Sequence, residues 1–566
     1  MKLSDFIVRS LVNFNVNHIF AVPGVNVLPL LNEIQLNEDT SLIVCSSESG
    51  ATYMADGYSR INGLGCCIGT TGPGITNMIT GVAGAYYDSI PLVVISAQVA
   101  ESEYDKYSIQ EMTGYGRTPD VISMYSQITK QVYRLEHNRL KTFGRDLQDL
   151  LMAAITGRKG PVYLEICEDL WDCDIDIDED QMPSPTLPTT SYSLNNNDFK
   201  MIIKHIEMSK RPLVLIGNGT ADTEPSSITK FVDSIGGYCV STALAKGKLS
   251  DSYERYLGVI GCYGNHRANA LLQEADLIII LGASLGYLST CGWSLDFSAA
   301  KIIRVDIDKN ELNKNVNPDF AFNLSISDFI YQFNTESHNV VYNGEWKSIP
   351  LSNISANEGD TFMTTEVGLD PVSVMNMIDS KFSKTDSIYV VDVGQNAYWA
   401  ERYLKSTIAP YNSFIIHGGM GAMGYGVAAS IGVRLAQLKN KTKCGKVICI
   451  CGDGGYLMNG LELNTSAIYN VDVIWIVMNN GCLGTQKAWS EKNQYSLLFE
   501  NTKNFNFVQN AISQGVQSYT VNDYKELEET LERACIQDNS TLINICISNE
   551  KYPKSYYGQA VRKINR

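Results

Sequence analysis

At 566 residues the chain is long enough for about three domains of ordinary size, each with its own core. A formal charge of −16 argues against nucleic acid or an anionic membrane as partner, because a polyanion would be repelled along most of the surface. Small metabolites are the expected partners. The start, Met1 to Phe6, turns polar too soon for a secretory leader, and no apolar run reaches the roughly 18 residues of a membrane helix, so a cytoplasmic protein is expected. Fourteen scattered cysteines, several inside apolar runs (Cys45, Cys66, Cys67, Cys449, Cys451) and none in Cys-x-x-Cys knuckles, read as buried small hydrophobes.

Along the chain, apolar β-branched runs alternate with amphipathic stretches. Leu92 to Ser96 falls in the first third, Leu213 to Ile216 and Leu277 to Leu281 in the second, Tyr389 to Val391 and Val447 to Ile450 in the last. Continuous apolar strands separated by helices predict parallel sheets covered on both faces. Two stretches with neither period, Asp174 to Asn197 and Glu336 to Thr365, read as linkers. The predicted fold class is α/β, with three doubly wound parallel-sheet domains in series over residues 1–178, 195–338 and 366–566. In the middle one, Ile216-Gly217-Asn218-Gly219 follows a strand and begins like a dinucleotide fingerprint, but it lacks the third glycine.

The most informative segment lies near the C-terminus. Val447 to Ile450 runs into Gly452-Asp453-Gly454, a helix is predicted over Leu457 to Tyr469, and a second strand, Val473 to Met478, ends at Asn479-Asn480. Both polar clusters therefore reach one edge of a parallel sheet, where open α/β sheets bind ligands. A carboxylate and an amide oxygen suit Mg²⁺ shared with substrate phosphates, and Gly454 and Gly455 let backbone N–H groups approach a diphosphate. Gly-Asp-Gly alone is a common turn, with Asp bonding its own backbone. Here it stands in an ordered strand, helix, strand and Asn-Asn series. That series resembles the thiamine-diphosphate motif of the acetolactate synthase and pyruvate decarboxylase superfamily.

A second match lies at the N-terminus. Ser47-Glu48-Ser49-Gly50-Ala51, continuing through Met54 to Arg60, with Thr71-Gly72-Pro73-Gly74-Ile75-Thr76-Asn77 and Asp88-Ser89-Ile90-Pro91, resembles the pyrimidine-binding domain of acetolactate synthases. Read alone, Glu48 is an acid answering a helix N-terminus. The resemblance implies that it is catalytic: its carboxyl bonds pyrimidine N1′ and promotes the tautomer whose imino nitrogen takes the C2 proton. It also implies that Glu48 and the diphosphate site come from different subunits of a homodimer or tetramer with shared active sites. Gln110, in Ile109-Gln110-Glu111, matches the family's Phe-Gln-Glu, where the glutamine faces the reacting centre.

For the last domain the resemblance implies that Val393, Gly394, Gln395 and Asn396, the last usually His in the family, reach the cofactor. The Gly421 carbonyl would accept from the 4′-amino group, and Met423 would wedge the bent cofactor, although Met is also a common core filler. Gly452, Gly454 and Gly455 would flank the diphosphate, with Mg²⁺ on Asp453, Asn480 and the Cys482 carbonyl. Gly217, Gly219, Thr242, Gly282 and Asp306 fall where the family contacts FAD, which implies a structural, non-redox flavin, or else a middle domain that keeps the fold and binds nothing. There, Gly261-Cys262-Tyr263-Gly264 replaces the family's Gly-Met-His-Gly. Trp489 falls where the family places a tryptophan that helps select the second keto acid, or it is a surface-anchored aromatic.

Substrate choice rests on departures from the family. Pyruvate decarboxylases carry an Asp just after an N-terminal Pro-Gly and an adjacent His pair; here Val25 follows Pro23-Gly24, and none of the six histidines are adjacent. An apolar, proton-poor site favours joining the two-carbon unit of pyruvate to a carbonyl acceptor. Ser284-Leu285-Gly286-Tyr287-Leu288 replaces the Arg-Phe-Asp-Asp-Arg segment of acetolactate synthases, so an acceptor carboxylate would lose its bidentate partner. The family includes flavin-containing carboligases acting on a nucleotide-linked keto-deoxysugar, and such an acceptor is expected. Acetolactate synthesis from two pyruvates, simple keto-acid decarboxylation, and an inactive cofactor-binding regulatory subunit remain the alternatives.

Overall fold

Three short, largely apolar runs become strands buried at every position: Leu92–Gln98, Pro212–Ile216 and Leu277–Leu281. Burial on both faces is what a parallel sheet between helices requires. The computed structural model describes residues 1–175, 182–186, 193–336, 346, 368–407, 413–440, 445–497, 499, 502, 504–550, 552, 553 and 555. The expected boundaries at 178, 338 and 366 lie outside them, as do half of the first expected linker and most of the second.

The first sheet consists of β1 (His18–Ala21), β2 (Ser41–Val44), β3 (Gly65–Gly69), β4 (Leu92–Gln98), β5 (Gln131–Leu135) and β6 (Val162–Cys167), in spatial order β2-β1-β3-β4-β6-β5. The second holds β7 (Pro212–Ile216), β8 (Tyr238–Ser241), β9 (Tyr256–Val259), β10 (Leu277–Leu281), β11 (Lys301–Asp306) and β12 (Phe320–Asn323), ordered β12-β11-β10-β7-β8-β9. The third has β13 (Ile388–Val391), β14 (Phe414–Ile416), β15 (Val447–Gly452), β16 (Ile474–Asn479), β17 (Gln517–Val521) and β18 (Thr541–Cys546), ordered β14-β13-β15-β16-β18-β17. Every pairing between these strands is parallel, as predicted. The outer two sheets share one strand order, whereas the middle sheet has that of dinucleotide-binding folds. Each sheet has a central switch point, between β1 and β3, β7 and β10, and β13 and β15, the kind of place where open α/β sheets bind ligands.

Five helices position the sites. They are α1 (Glu48–Asn62), α2 (Gln395–Tyr403), α3 (Tyr425–Lys439), α4 (Asp453–Asn459) and α5 (Gly484–Asn493). Ser47 starts α1 by accepting the Gly50 N–H at 3.0 Å, and Gly63, at φ +95°, ends it in a conformation suited to glycine. Helices α1 and α3 join the first and third domains by backbone contact. A Cβ on Gly57 would lie 2.2 Å from the Ala429 carbonyl oxygen, and one on Gly432 would lie 1.9 Å from that of Met54. Beside this crossing, buried Arg60 reaches Asp56 at 2.7 Å and Asp88 at 3.1 Å, and the Tyr425 hydroxyl donates to Asp56 at 2.5 Å.

The middle domain is tied to both neighbours. Asn218 donates to the Asp88 carbonyl at 2.8 Å, Arg158 reaches Glu311 at 2.8 Å, and the rings of Tyr263 and Tyr398 stack at 3.5 Å. The helix expected over 457–469 departs from the structure. α4 begins at Asp453 itself, a 3₁₀ turn spans Gly460–Glu462, and a separate helix spans Leu463–Ile468. Gly-Asp-Gly is thus a first helical turn, because the Asp453 carboxylate accepts the Gly454 N–H at 2.9 Å, satisfying a donor that a helix start leaves unpaired. Among the described residues no helix is long and apolar enough to cross a membrane, and the cysteines are unpaired.

Candidate active site

The cleft at the reversal between β13 and β15 gathers most of the residues singled out in the last domain. Gly394, at φ +121°, turns the chain from β13 into α2, which begins without a side-chain cap and so offers open N–H groups to an anion. Register pairs Gly452 with Met478, which carries Asp453 and Asn479-Asn480 past neighbouring strand ends. The Asp453 carboxylate is buried and accepts Thr502 Oγ1 at 2.5 Å, the Gly454 N–H and the Gly481 N–H. Burial raises its pKa from the ordinary value, against these bonds. Asn480 Oδ1 accepts the Cys482 N–H at 3.2 Å. A Cβ on Gly484 would lie 2.3 Å from Gln395 Oε1 and 2.7 Å from Asn480 Nδ2, so both side chains meet over that glycine.

A loop from His417 to Gly424 closes the other side. Asp392 is fully buried, and its carboxylate accepts the Gly424 N–H at 2.9 Å and the Gly426 N–H at 3.2 Å. His417 Nδ1 accepts the Ala422 N–H at 3.1 Å while its ring stacks on Tyr425. Between these anchors Gly421 holds φ +56°, and a Cβ there would meet Val393 Cγ2 at 3.5 Å. A Cβ on Gly454 would come 3.0 Å from the Met423 methyl. Val393, Gly421, Met423, Asp453 and Gly454 therefore share one recess. Gly455 is glycine for a different reason: a Cβ there would strike Asp392 Oδ2 at 1.9 Å.

Asn396 is the second residue of α2. Its Nδ2 donates to the carbonyls of Asp392 at 2.7 Å and Ile450 at 3.2 Å, so its amide hydrogens brace β13 against β15. Donors to an anion would come instead from the backbone at the start of α2. The recess fits a diphosphate with its cation, because Gly394 and Gly481 carry positive φ and a side chain at Gly481 would meet only open space. Among the described residues no group of three His, Cys, Asp or Glu could hold a metal. One carboxylate with amide and carbonyl oxygens is instead a donor set for a hard cation that completes its shell with phosphate oxygens.

Glu48, Val25 and Gln110 lie at the corresponding edge of the first sheet. Glu48 is the first residue of α1, half-buried, and accepts Asn77 Nδ2 at 3.1 Å. Val25 starts a 3₁₀ turn after Gly24 and is 80% exposed. Gln110 holds φ +64° against Gly72, with its carbonyl accepting Thr71 Oγ1 at 2.9 Å. Trp489 lies on α5, 50% exposed, with the Lys492 ammonium 5.2 Å from its ring centroid. Thr502, Asp392 and His417 were missed as site residues. Only Asp392, an acid at a strand end before a glycine, carried a local signal.

Residues 1–117, 199–333 and 392–545 match, respectively, the N-terminal TPP binding, central and C-terminal TPP binding domains of the thiamine pyrophosphate enzymes. The chain belongs to the thiamine pyrophosphate enzyme family. It is 30% identical, over 97% of its length and 92% of the relative, to the probable acetolactate synthase large subunit of Methanococcus aeolicus. With the acetolactate synthase large subunit of Lactococcus lactis subsp. lactis it shares 29% over 97% of this chain and 93% of that one. The structure is similar to that of the Rhodococcus jostii RHA1 thiamine diphosphate-dependent 4-hydroxybenzoylformate decarboxylase, with a TM-score of 0.79 over 97% of this chain and 99% of that one. At 19% identity that likeness is one of fold.

This acetolactate-synthase-like enzyme has a second cleft, a cavity of about 380 Å³ at the reversal between β7 and β10, lined by the first and middle domains and, through Phe414 and Ile415, by the third. Gly217, Gly219, Gly282 and Asp306 line it, while Thr242 does not. Its glycines pack on each other: a Cβ on Gly217 would lie 2.2 Å from the Gly282 carbonyl oxygen. Lys248 also lines the cavity, and burial pushes its ammonium down to about 7.

Asp392 gives the enzyme a testable pH signature. Burial pushes its carboxyl from 3.8 up to about 6, opposed by the N–H bonds of Gly424 and Gly426. The folded form then holds this proton more tightly than the unfolded chain, so the group costs stability as pH rises from about 4 to 6. Asp392→Asn should flatten the fall in urea midpoint across that interval relative to wild type, whatever its absolute stability. An unchanged slope would clear Asp392 of the effect.

Proposed function

We propose that the enzyme decarboxylates pyruvate and joins the two-carbon unit to a carbonyl acceptor without a carboxylate, such as a nucleotide-linked keto-sugar. The observation that carries the acceptor is the loop after β10. Ser284 to Leu288 holds no cation, its Leu288 carbonyl accepts the Cys262 N–H at 2.7 Å, and the Leu288 side chain is 51% exposed. An apolar wall there leaves an acceptor carboxylate without a bidentate partner. Val25, in place of an acid, leaves the first sheet's edge without a proton donor at that position.

Bound thiamine diphosphate supplies an electron sink at its thiazolium C2. In this reading Glu48 would hold a proton at pyrimidine N1′, the Gly421 carbonyl would orient the 4′-amino group, and Met423 would pack against the cofactor. Gly452, Gly454 and the start of α2 bind the diphosphate, while Asp453, Asn480 and the Cys482 carbonyl hold Mg²⁺. Gln110 faces the reacting centre and Trp489 the acceptor. Exposure of Val25 and of Ile109, at 87%, favours a second subunit covering that edge, with sites shared in a homodimer or tetramer. FAD, as a structural group, is the proposed occupant of the central cavity, on lysines for an anion and Asp306 for a ribose.

Mass spectrometry after incubation with labelled pyruvate and a panel of keto acids, aldehydes and keto-sugars tests the reaction. Label in an adduct with a neutral acceptor is expected; free acetaldehyde at the full rate without acceptor would mean simple decarboxylation, and labelled acetolactate a second pyruvate. Glu48→Gln and Asp453→Ala should each abolish turnover, the first by stopping C2 proton exchange with cofactor retained, the second by losing Mg²⁺ and diphosphate. Mixed dimers keep one intact site if sites are shared, so co-expression should restore about a quarter of wild-type activity. No recovery would refute the shared site. Flavin is checked by the visible absorption of the purified enzyme, and a colourless preparation that takes up no added FAD would remove it.

A further inference from the structure

Glu462 belongs to the third domain, lies at the end of the 3₁₀ turn after α4, and is 1% exposed. Its carboxylate is met by donors, not by a cation: the Ser46 N–H at 3.0 Å, the Ser47 N–H and Oγ at 2.9 Å each, and Thr465 Oγ1 at 2.7 Å. Three of these four come from the two residues just before Glu48. A Cβ on Gly50 would fall 2.0 Å from Glu462 Oε1, so the carboxylate sits over the first turn of α1, where unpaired N–H groups and the helix dipole favour an anion. Neighbouring contacts reinforce the grip. Ser46 Oγ donates to the Leu461 carbonyl at 3.1 Å, Ser49 Oγ donates to Asn459 Oδ1 at 3.3 Å, and Asn459 Nδ2 donates to the Gly424 carbonyl at 3.2 Å. The start of α1 is therefore held by the C-terminal domain of its own chain.

We propose that Glu462 is a positioning residue for Glu48, setting the height and direction of its carboxyl through the backbone of Ser46 and Ser47. The proposal rests on the reading that Glu48 acts at the cofactor. Glu462→Gln keeps the shape and one acceptor oxygen but turns an NH₂ group toward donors, so at least one of these bonds is lost. A displaced carboxyl slows the step it serves far more than it weakens binding, by about 10- to 100-fold.

The test uses the full-length holoenzyme. With Glu462→Gln, hydrogen exchange at the Ser46 and Ser47 amides should quicken by about tenfold or more. C2 proton exchange by NMR and kcat should slow together by about 10- to 100-fold, with cofactor affinity and KM for pyruvate little changed. Ser47→Ala, which removes one donor to Glu462 together with the cap on the Gly50 N–H, should slow C2 exchange with KM and cofactor retention little changed, and Ser47→Thr, which keeps both roles, should restore it; this pair decides the matter if Glu462→Gln does not fold. Native C2 exchange in Glu462→Gln despite loosened amides would overturn the proposal, as would equal losses in kcat, KM and cofactor retention. Glu48→Gln separates the two ideas: if it leaves C2 exchange intact the cofactor reading itself fails, whereas slow exchange in Glu48→Gln with native exchange in Glu462→Gln defeats only the positioning role.

Discussion

The crossing of α1 and α3 is the contact on which the rest of the enzyme depends. Gly57 and Gly432 remove the side chains that would otherwise separate the helices, so backbone meets backbone at distances where no Cβ fits. Rotation about that contact is resisted by Arg60, held by Asp56 and Asp88, and by Tyr425 on Asp56. Removing one partner of such a buried set costs about 3–5 kcal/mol, because a charge is left without compensation. Asp88 also accepts the N–H groups of Gly418 and Gly419 at 2.8 and 3.2 Å, so the same network anchors the loop carrying Gly421 and Met423. One interaction thus sets both the spacing of the outer domains and the shape of the recess.

A shared device appears at three places around that crossing. Asp392, Asp453 and Glu462 are buried acids whose partners are backbone N–H and hydroxyl groups, each set including an N–H at or just before a helix start. Each uses donors that a helix leaves unpaired, which is also how a helix start binds phosphate. Asp392 occupies N–H groups at the start of α3, whereas α2 begins uncapped beside Gly394. Protein carboxylates thereby fill some helix starts and leave another open for an anionic ligand.

Much of the fold was legible because it is local. Leu277 to Leu281 emerges as a strand residue for residue, since a strand buried on both faces shows an unbroken apolar run. Asp453 and Asn480 were legible as neighbours because each follows such a run, and strand ends in one parallel sheet share an edge. The start of α4 was not legible, because Gly-Asp-Gly has low helix propensity and only the bond from the Gly454 N–H to Asp453 makes it a helical turn. Thr502 lies 49 residues from Asp453, and Glu462 lies 415 from Ser47, separations at which sequence carries no periodic trace.

The amino-acid sequence by itself determined three parallel α/β domains, the edges on which polar residues fall, and the family to which those motifs belong. Each of these depends on near neighbours in the chain. The tertiary structure alone decided that Gly217 and Gly219 make room for the Gly282 backbone, that Asn396 braces two strands, and that the start of α1 is held by an acid of another domain. Those facts depend on which surfaces meet when the domains close, and the same residue types can satisfy many such meetings until packing selects one.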